Sequence, residues 1–362
     1  MNKSYTNVPG SSIMEEISGR ADKLLIPLTV LLEPTRRCNL ECKHCYRIEN
    51  TNRKEMSLQR IIDLIPELRQ AGCLFLTISG GEPLLHPDFL EICRQAHSLN
   101  MAISIFTNGT LITESLIEQL AKLNIVDIHL SVYGATPTTH DAITRYKDSY
   151  NKTINTASMI KRHGLSVRFK YIMMKDNIRE YKDMLGLAKQ MGIPYDIDPI
   201  ITPRDDGDMA PTTLSLSNED LGLIYKDVLP PATDSQTSTT CSSGRSYCAI
   251  NSYGDVYPCI QLPVPAGNIM DSAFLDIWNN SKWFREIRNF CSPSQAACAI
   301  CAEVGYCRPC PGMNYLETKN IYGISNETCR HARAIKRAVT DKNLDRNLSN
   351  IYNIKTRLIN HY

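Results

Sequence analysis

The 362-residue sequence predicts an α/β fold, a partial (β/α)6 barrel of the TIM type followed by a C-terminal cysteine-rich domain. Three observations predict it. Short β-rich apolar runs alternate with segments of helical period from residue 28 to residue 200, glycines stand where those helices must end, and most of the fourteen cysteines fall into two groups.

The expected strands are 28–33, 74–79, 102–107, 125–131, 167–173 and 195–200, all short and rich in Ile, Val, Leu, Phe and Thr. Between them, 58–70, 87–100, 114–122, 150–163 and 178–191 place apolar residues three and four apart, as helices with one face on a sheet do. Strand, crossover helix and next strand imply parallel pairing. Gly72, Gly164 and Gly192 follow three of these helices, where a left-handed cap is needed. Six units are too few for a closed eight-stranded barrel, so the pattern fits a partial barrel or an open doubly wound sheet. After residue 200 the regularity fails. TPRDDGDMAP and PPATDSQTSTT are polar and turn-rich, and the second reads as a linker. The expected organisation is an extension over 1–27, a barrel core over 28–235, a cysteine-rich domain over 236–335 and a basic helical tail over 336–362. Within the third part, CAINSYGDVYPCIQL reads as a hairpin around Tyr253, Gly254 and Asp255. The rest of that part has too little core of its own and is expected to need metal to fold.

With 40 basic and 38 acidic residues, the formal charge of +2 gives no global attraction to nucleic acid or anionic lipid. No apolar run is long enough to span a bilayer, and MNKSYTNVPG lacks a signal-peptide core. The expectation is a cytoplasmic protein with no nucleic-acid and no membrane partner. In that compartment fourteen cysteines indicate metal rather than disulfides.

Cys38, Cys42 and Cys45 directly follow the first strand, at the mouth where active sites of such sheets gather. Three thiolates suit a four-iron cluster with one open iron, or a catalytic zinc with one open position; the triplet alone leaves both open. The company it keeps is more specific. RRCNLECKHCY, with His44 just before the last thiol, is followed by Gly80-Gly81-Glu82-Pro83, Thr107-Asn108-Gly109 and the strand-end Ser131. Residues 28–200 thereby resemble the radical SAM superfamily. The resemblance implies a 4Fe-4S cluster on Cys38, Cys42 and Cys45 that binds S-adenosyl-L-methionine, with His44, Gly80, Gly81, Glu82, Pro83, Asn108 and Ser131 as cofactor-binding residues. The chemistry agrees: glycines admit close backbone approach, and a carboxylate can pair with the methionyl ammonium. Two positions depart from the usual pattern, Tyr133-Gly134 where Asp-Gly is common and Thr144 where an arginine often follows His140-Asp141. No carboxylate clamp is assigned.

Downstream, Cys241, then Gly254-x4-Cys259, then Cys298-x2-Cys301-x5-Cys307-x2-Cys310 and a distant Cys329 resemble the SPASM extension of that superfamily, with the last short gap one residue tighter than usual. The resemblance implies two auxiliary 4Fe-4S clusters, one on Cys241, Cys248, Cys259 and Cys310, the other on Cys298, Cys301, Cys307 and Cys329. Three such clusters, one of them open, need eleven thiolates, and the motifs supply eleven of the fourteen. Cys73 and Cys93 read as buried small hydrophobes, and Cys291 stays undecided. A zinc ribbon on Cys298 to Cys310 is the alternative, and it leaves Cys241, Cys248, Cys259 and Cys329 unexplained.

The function implied is that of an oxygen-sensitive oxidoreductase that reductively cleaves S-adenosylmethionine to a 5′-deoxyadenosyl radical. Auxiliary clusters that take up an electron suit net oxidation. The Tyr-Gly variant and the PRDDGD loop resemble the peptide-maturase branch, so a ribosomally made peptide or protein is the expected substrate, modified by a crosslink or a related change. The alternatives are a small molecule such as a porphyrin side chain, and a non-enzymatic iron-sulfur electron carrier. Expected partners are a flavodoxin or ferredoxin as reductant and a separate leader-peptide-binding protein, because the 27 residues before the first strand are too few for such a domain. Arg204, Asp205, Asp206 and Asp208, and likewise His140-Asp141, lie at the same mouth and read either as substrate anchors and proton acceptors or as ordinary polar loops. No catalytic acid or base is assigned.

Overall fold

The apolar runs form six strands: β1 Thr29–Leu32, β2 Phe75–Ile78, β3 Ala102–Thr107, β4 Ile125–Val132, β5 Val167–Ile172 and β6 Tyr195–Asp198. They come from a computed structural model that describes residues 13–48, 52–228, 241–290 and 296–341. All six pair in parallel with their sequence neighbours, and Leu31 stands opposite Thr77 and Ser131 opposite Lys170. The crossovers run through Leu58–Gln70, Phe89–Ser98, Glu114–Leu120, Ser149–Arg162 and Tyr181–Met191. The first buries Ile61, Leu64, Ile65 and Leu68, spaced three, four and seven apart, against Val30, Leu32, Leu76 and Ile78. Its start is fixed by Ser57, whose hydroxyl accepts from Arg60 N. Gly192 ends the last crossover with φ +60°, a cap that a residue with a Cβ adopts at a cost.

Alternation along the strands separates two chemistries. Phe169 and Tyr171 of β5 join the core beneath the helices, while Lys170 between them faces the other side of the sheet with Asp196 of β6. That other side carries the polar strand ends Glu33, Ser79, Ser131 and Asp198, so the C-terminal mouth of the sheet is the polar one.

The sheet then continues into the cysteine-rich part. Strand β7, Tyr247–Ile250, pairs in parallel with β1, and β8 Asp255–Tyr257 and β9 Gly267–Asn268 follow antiparallel, giving the order β6-β5-β4-β3-β2-β1-β7-β8-β9. The β7–β8 turn is the hairpin expected around Tyr253 to Asp255, with Gly254 at φ +84°. The two parts therefore share one nine-stranded sheet. Ile250, Val256, Phe274 and Trp278 belong to the same apolar core as Val30 and Ile78, which is how a region with little core of its own is supported. The expected boundary between 235 and 236 lies outside the described residues. The N-terminal extension contributes a helix, Ile13–Leu24, and a helix that runs across the expected 335/336 boundary, Asn326–Asp341, packs on Asn218–Val228. No helix among the described residues is long and apolar enough to cross a membrane.

Candidate active site

The loop that leaves β1 carries Cys38, Cys42 and Cys45 across the mouth of the sheet, and backbone bonds fix it on two sides. Gly81 N donates to Thr35 O at 3.0 Å and Glu82 N to Arg37 O at 2.8 Å; Glu41 N donates to Thr144 O at 3.1 Å and Lys43 N to Ile143 O at 3.0 Å. The approach at Gly80-Gly81 leaves no room for a side chain. A Cβ on Gly80, whose φ is +130°, would meet Thr35 O at 2.4 Å, and one on Gly81 would meet Arg37 O at 2.2 Å. The segments around Gly80 and Asn108, read separately in the sequence, meet through Glu82. Its fully buried carboxylate accepts from Thr107 Oγ1 at 2.8 Å, Asn108 N at 2.8 Å and Leu84 N at 3.2 Å. Burial pushes it up to about 7 despite those donors. Asn108 in turn donates from Nδ2 to Asn39 Oδ1 at 2.9 Å, and Asn39 donates to Thr110 Oγ1 at 2.8 Å, so a residue between the first two thiols is tied to the third strand end.

His44 is buried, its ring edge-on to Tyr133 at 4.5 Å, and burial lowers it to about 4, so it is neutral near pH 7. Burial raises the Tyr133 hydroxyl well above its usual range, and Ser131 beside it works the other way. His140-Asp141 builds the fold: His140 Nδ1 accepts from Tyr133 N at 3.1 Å, and Asp141 accepts from Asp148 N, Ser149 Oγ and Tyr150 N at 2.6 to 2.9 Å. The acidic run after β6 divides. Asp208 pairs with Arg204 at 3.1 Å and Asp206 bonds Asp208 N, an ordinary polar turn. Asp205 instead receives Arg36 Nη1 at 2.5 Å and donates its own N–H to Tyr46 O at 2.9 Å.

That contact belongs to a network that the sequence reading missed. Glu33, fully buried at the end of β1, receives Arg47 Nε at 2.8 Å and Nη2 at 2.7 Å, and faces Arg36 Nε at 3.4 Å. Arg47 also reaches Ser79 Oγ at 3.4 Å. The only signals in the sequence were a glutamate at a strand end before Pro34 and the arginines flanking the thiols.

The three thiols influence one another. Burial raises Cys38 and Cys42, and the neighbouring sulfurs raise Cys42 further, so their joint ionisation calls for a cation. Among the described residues no three Cys, His, Asp or Glu side chains converge tightly enough for a single metal ion. A four-iron cluster holds its thiolates at separate corners rather than around one ion. Three cysteines on one short loop, with Glu82 and two glycines beside them, fit that group.

Downstream the thiols form two further groups. Cys259 is raised to about 12, by burial first and then by Cys241 and Cys310. A cavity of 180 Å³ opens beside Cys241 and Cys259, lined also by Ser243, Tyr247 and Gln261, and Cys310 Sγ lies 3.6 Å from Gln261 Oε1. Cys248 is not with them. It is the second residue of β7, so alternation turns it to the opposite face, where it is fully buried in the core with Val30, Ile250 and Cys73. The resemblance to the SPASM extension implies instead that it joins the cavity group. Cys329, on the helix Asn326–Asp341, faces Cys298 and Cys301. Cys307 lies at the end of the short turn Val304–Tyr306. Cys73 and Cys93 are fully buried in the core, and Cys291 lies outside the described residues.

Comparison with known proteins follows the same division. Residues 32–196 match the radical SAM superfamily, and residues 241–311 match SPASM, an iron-sulfur cluster-binding domain. The chain is similar to an AdoMet-dependent heme synthase of Methanosarcina barkeri, 26% identical over 81% of this chain and 93% of the relative. It is also similar to a PqqA peptide cyclase of Granulibacter bethesdensis, 25% identical over 72% of this chain and 76% of the relative. Among solved structures, SuiB of Streptococcus suis, bound to its precursor peptide SuiA, superposes with a TM-score of 0.64 at 16% identity, over 91% of this chain and 84% of that one; this likeness is one of fold.

Proposed function

The chain belongs to the radical SAM superfamily and carries a SPASM domain, and from that premise we propose that it cleaves S-adenosylmethionine to a 5′-deoxyadenosyl radical and oxidatively modifies a ribosomally made peptide or protein. A reduced 4Fe-4S cluster supplies the electron for that cleavage when bound. Cys38, Cys42 and Cys45 would hold it; Gly80 to Pro83, Asn108 and Ser131 shape the place of the cofactor beside it, and His44, neutral and buried, packs beneath the loop. Cys241, Cys259 and Cys310 would hold one auxiliary cluster, and Cys298, Cys301, Cys307 and Cys329 the other. The first of these then has three thiolates from the chain rather than four, because Cys248 belongs to the core.

The observation that carries the peptide reading is the relative named as a peptide cyclase, whose likeness runs through most of the chain. The fold supports it: β6 and β9 are the two ends of a sheet that does not close on itself, and an open side admits an extended chain. A groove of 620 Å³ opens among the residues that follow β6, lined by Ile201, Pro203, Met209, Ser215 and Arg330. A reductant such as flavodoxin or ferredoxin, a separate leader-binding protein and a cytoplasmic setting complete the proposal.

The heme synthase likeness favours a second substrate, a tetrapyrrole side chain, acted on by the same radical. Anaerobic incubation of reconstituted enzyme with S-adenosylmethionine and dithionite, against peptides encoded beside the gene and against iron porphyrins, separates the two by which substrate changes mass. Deoxyadenosine formation with neither substrate altered would leave the radical chemistry and remove both substrate readings.

A further inference from the structure

The first thiol loop is bracketed by two arginines that converge on one carboxylate. Arg36 precedes Cys38 by two residues, Arg47 follows Cys45 by two, and both side chains turn to Glu33, just after β1. Glu33 has no exposed surface, and the side chains of Arg36 and Arg47 are 9% and 13% exposed. Asp205 closes the set on Arg36 at 2.5 Å. Two cations and two anions are thus gathered around the two ends of the thiol loop. The arrangement is not symmetric. Arg47 lies on the side of Cys45 and Ser79, stacked on Tyr46 with its guanidinium 5.0 Å from the ring, while Arg36 is turned to Asp205 and Ile48 O.

We propose that Glu33 is a positioning residue that sets the charge felt by the cluster on Cys38, Cys42 and Cys45, by holding the Arg47 guanidinium in place and neutralising it. This rests on the reading of those thiols as the ligands of a 4Fe-4S cluster. The physical ground is that cluster potentials follow net charge, hydrogen bonding and burial around the sulfurs, and a buried charge is screened far less than one in water. Reduction adds one electron to the cluster. An unneutralised cation nearby favours that electron, and loss of the cation disfavours it.

The test is an anaerobic redox titration of the reconstituted full chain, followed by electron paramagnetic resonance, with the first cluster identified by its spectral change on adding S-adenosylmethionine. Iron per chain is measured in parallel. Glu33→Gln leaves Arg47 without its counter-charge and is expected to raise the midpoint potential of that cluster, slowing dithionite-driven deoxyadenosine formation about tenfold. Arg47→Met is expected to lower the potential, Arg47→Lys to leave it near wild type, and the double variant to return toward wild type. A role confined to folding does not produce shifts of opposite sign. Shifts of the same sign, or unchanged potentials at full iron content, overturn the proposal. If Glu33→Gln does not retain iron, Arg47→Met against Arg47→Lys still decides, since only the first removes the charge. A wild type that titrates as expected but makes no deoxyadenosine would refute the cleavage reading and leave this inference standing.

Discussion

The loop of Cys38, Cys42 and Cys45 and the region of the later thiols gather sulfur in opposite ways. The first packs three thiols into eight residues and fixes them with contacts the chain makes without metal: four backbone bonds, the Asn39–Asn108 pair and the arginines on Glu33. The second draws on distant elements. Cys259 follows β8, Cys310 precedes the helix Pro311–Thr318, and Cys329 lies on another helix, so each group closes only when these pieces are already packed. A local site is set by short-range geometry, whereas a dispersed one depends on the fold and on the metal together.

The largest expected effect tests the local site. Changing Cys38, Cys42 and Cys45 together to Ala should lower reconstituted iron from about twelve to about eight per chain and abolish deoxyadenosine formation. Wild-type iron near four would break the three-cluster account. Next, Gly81→Ala forces Arg37 O away from a Cβ otherwise 2.2 Å distant, displacing the loop without touching a ligand. Deoxyadenosine formation should fall at least about tenfold while the auxiliary iron stays; a normal rate would show that the loop is not set by this contact.

The dispersed site is sharpened by a pair. Cys259→Ser should remove about four irons. Cys248→Ala, in the core, should remove none and lower stability by about 1–2 kcal/mol, read by denaturant unfolding of the metal-free chain. Iron loss from Cys248→Ala would return that thiol to the cluster.

A further effect concerns pH. Burial lowers His140 from 6.5 to about 4. A folded value below the unfolded one gives stability that is complete above about 6.5 and is lost as pH falls through about 4. The metal-free chain should therefore lose on the order of 3 kcal/mol across that window through this group. His140→Gln should flatten that part of the profile, and an unchanged slope would assign it to other groups.

Legibility followed the range of the interactions. The six strands, their crossovers and the Gly192 cap were readable because period, length and a left-handed glycine are local properties. The thiol loop and the glycines at 80 and 81 were readable for the same reason. The helix Pro137–Thr144 was not anticipated, although Thr136 caps it and Pro137 starts it, because its apolar face is short.

By itself the sequence determined the α/β class, the parallel order of six strands and the three closely spaced thiols at their mouth, since each is written in neighbouring residues. Only the tertiary structure decided that β7 extends the barrel sheet beside β1 and that Cys248 faces the core rather than the cavity of Cys241 and Cys259. It also decided that Glu33 gathers Arg36 and Arg47. The reason is physical: which face of a strand a residue occupies depends on register with a partner more than two hundred residues away, and spacing between cysteines carries no record of it.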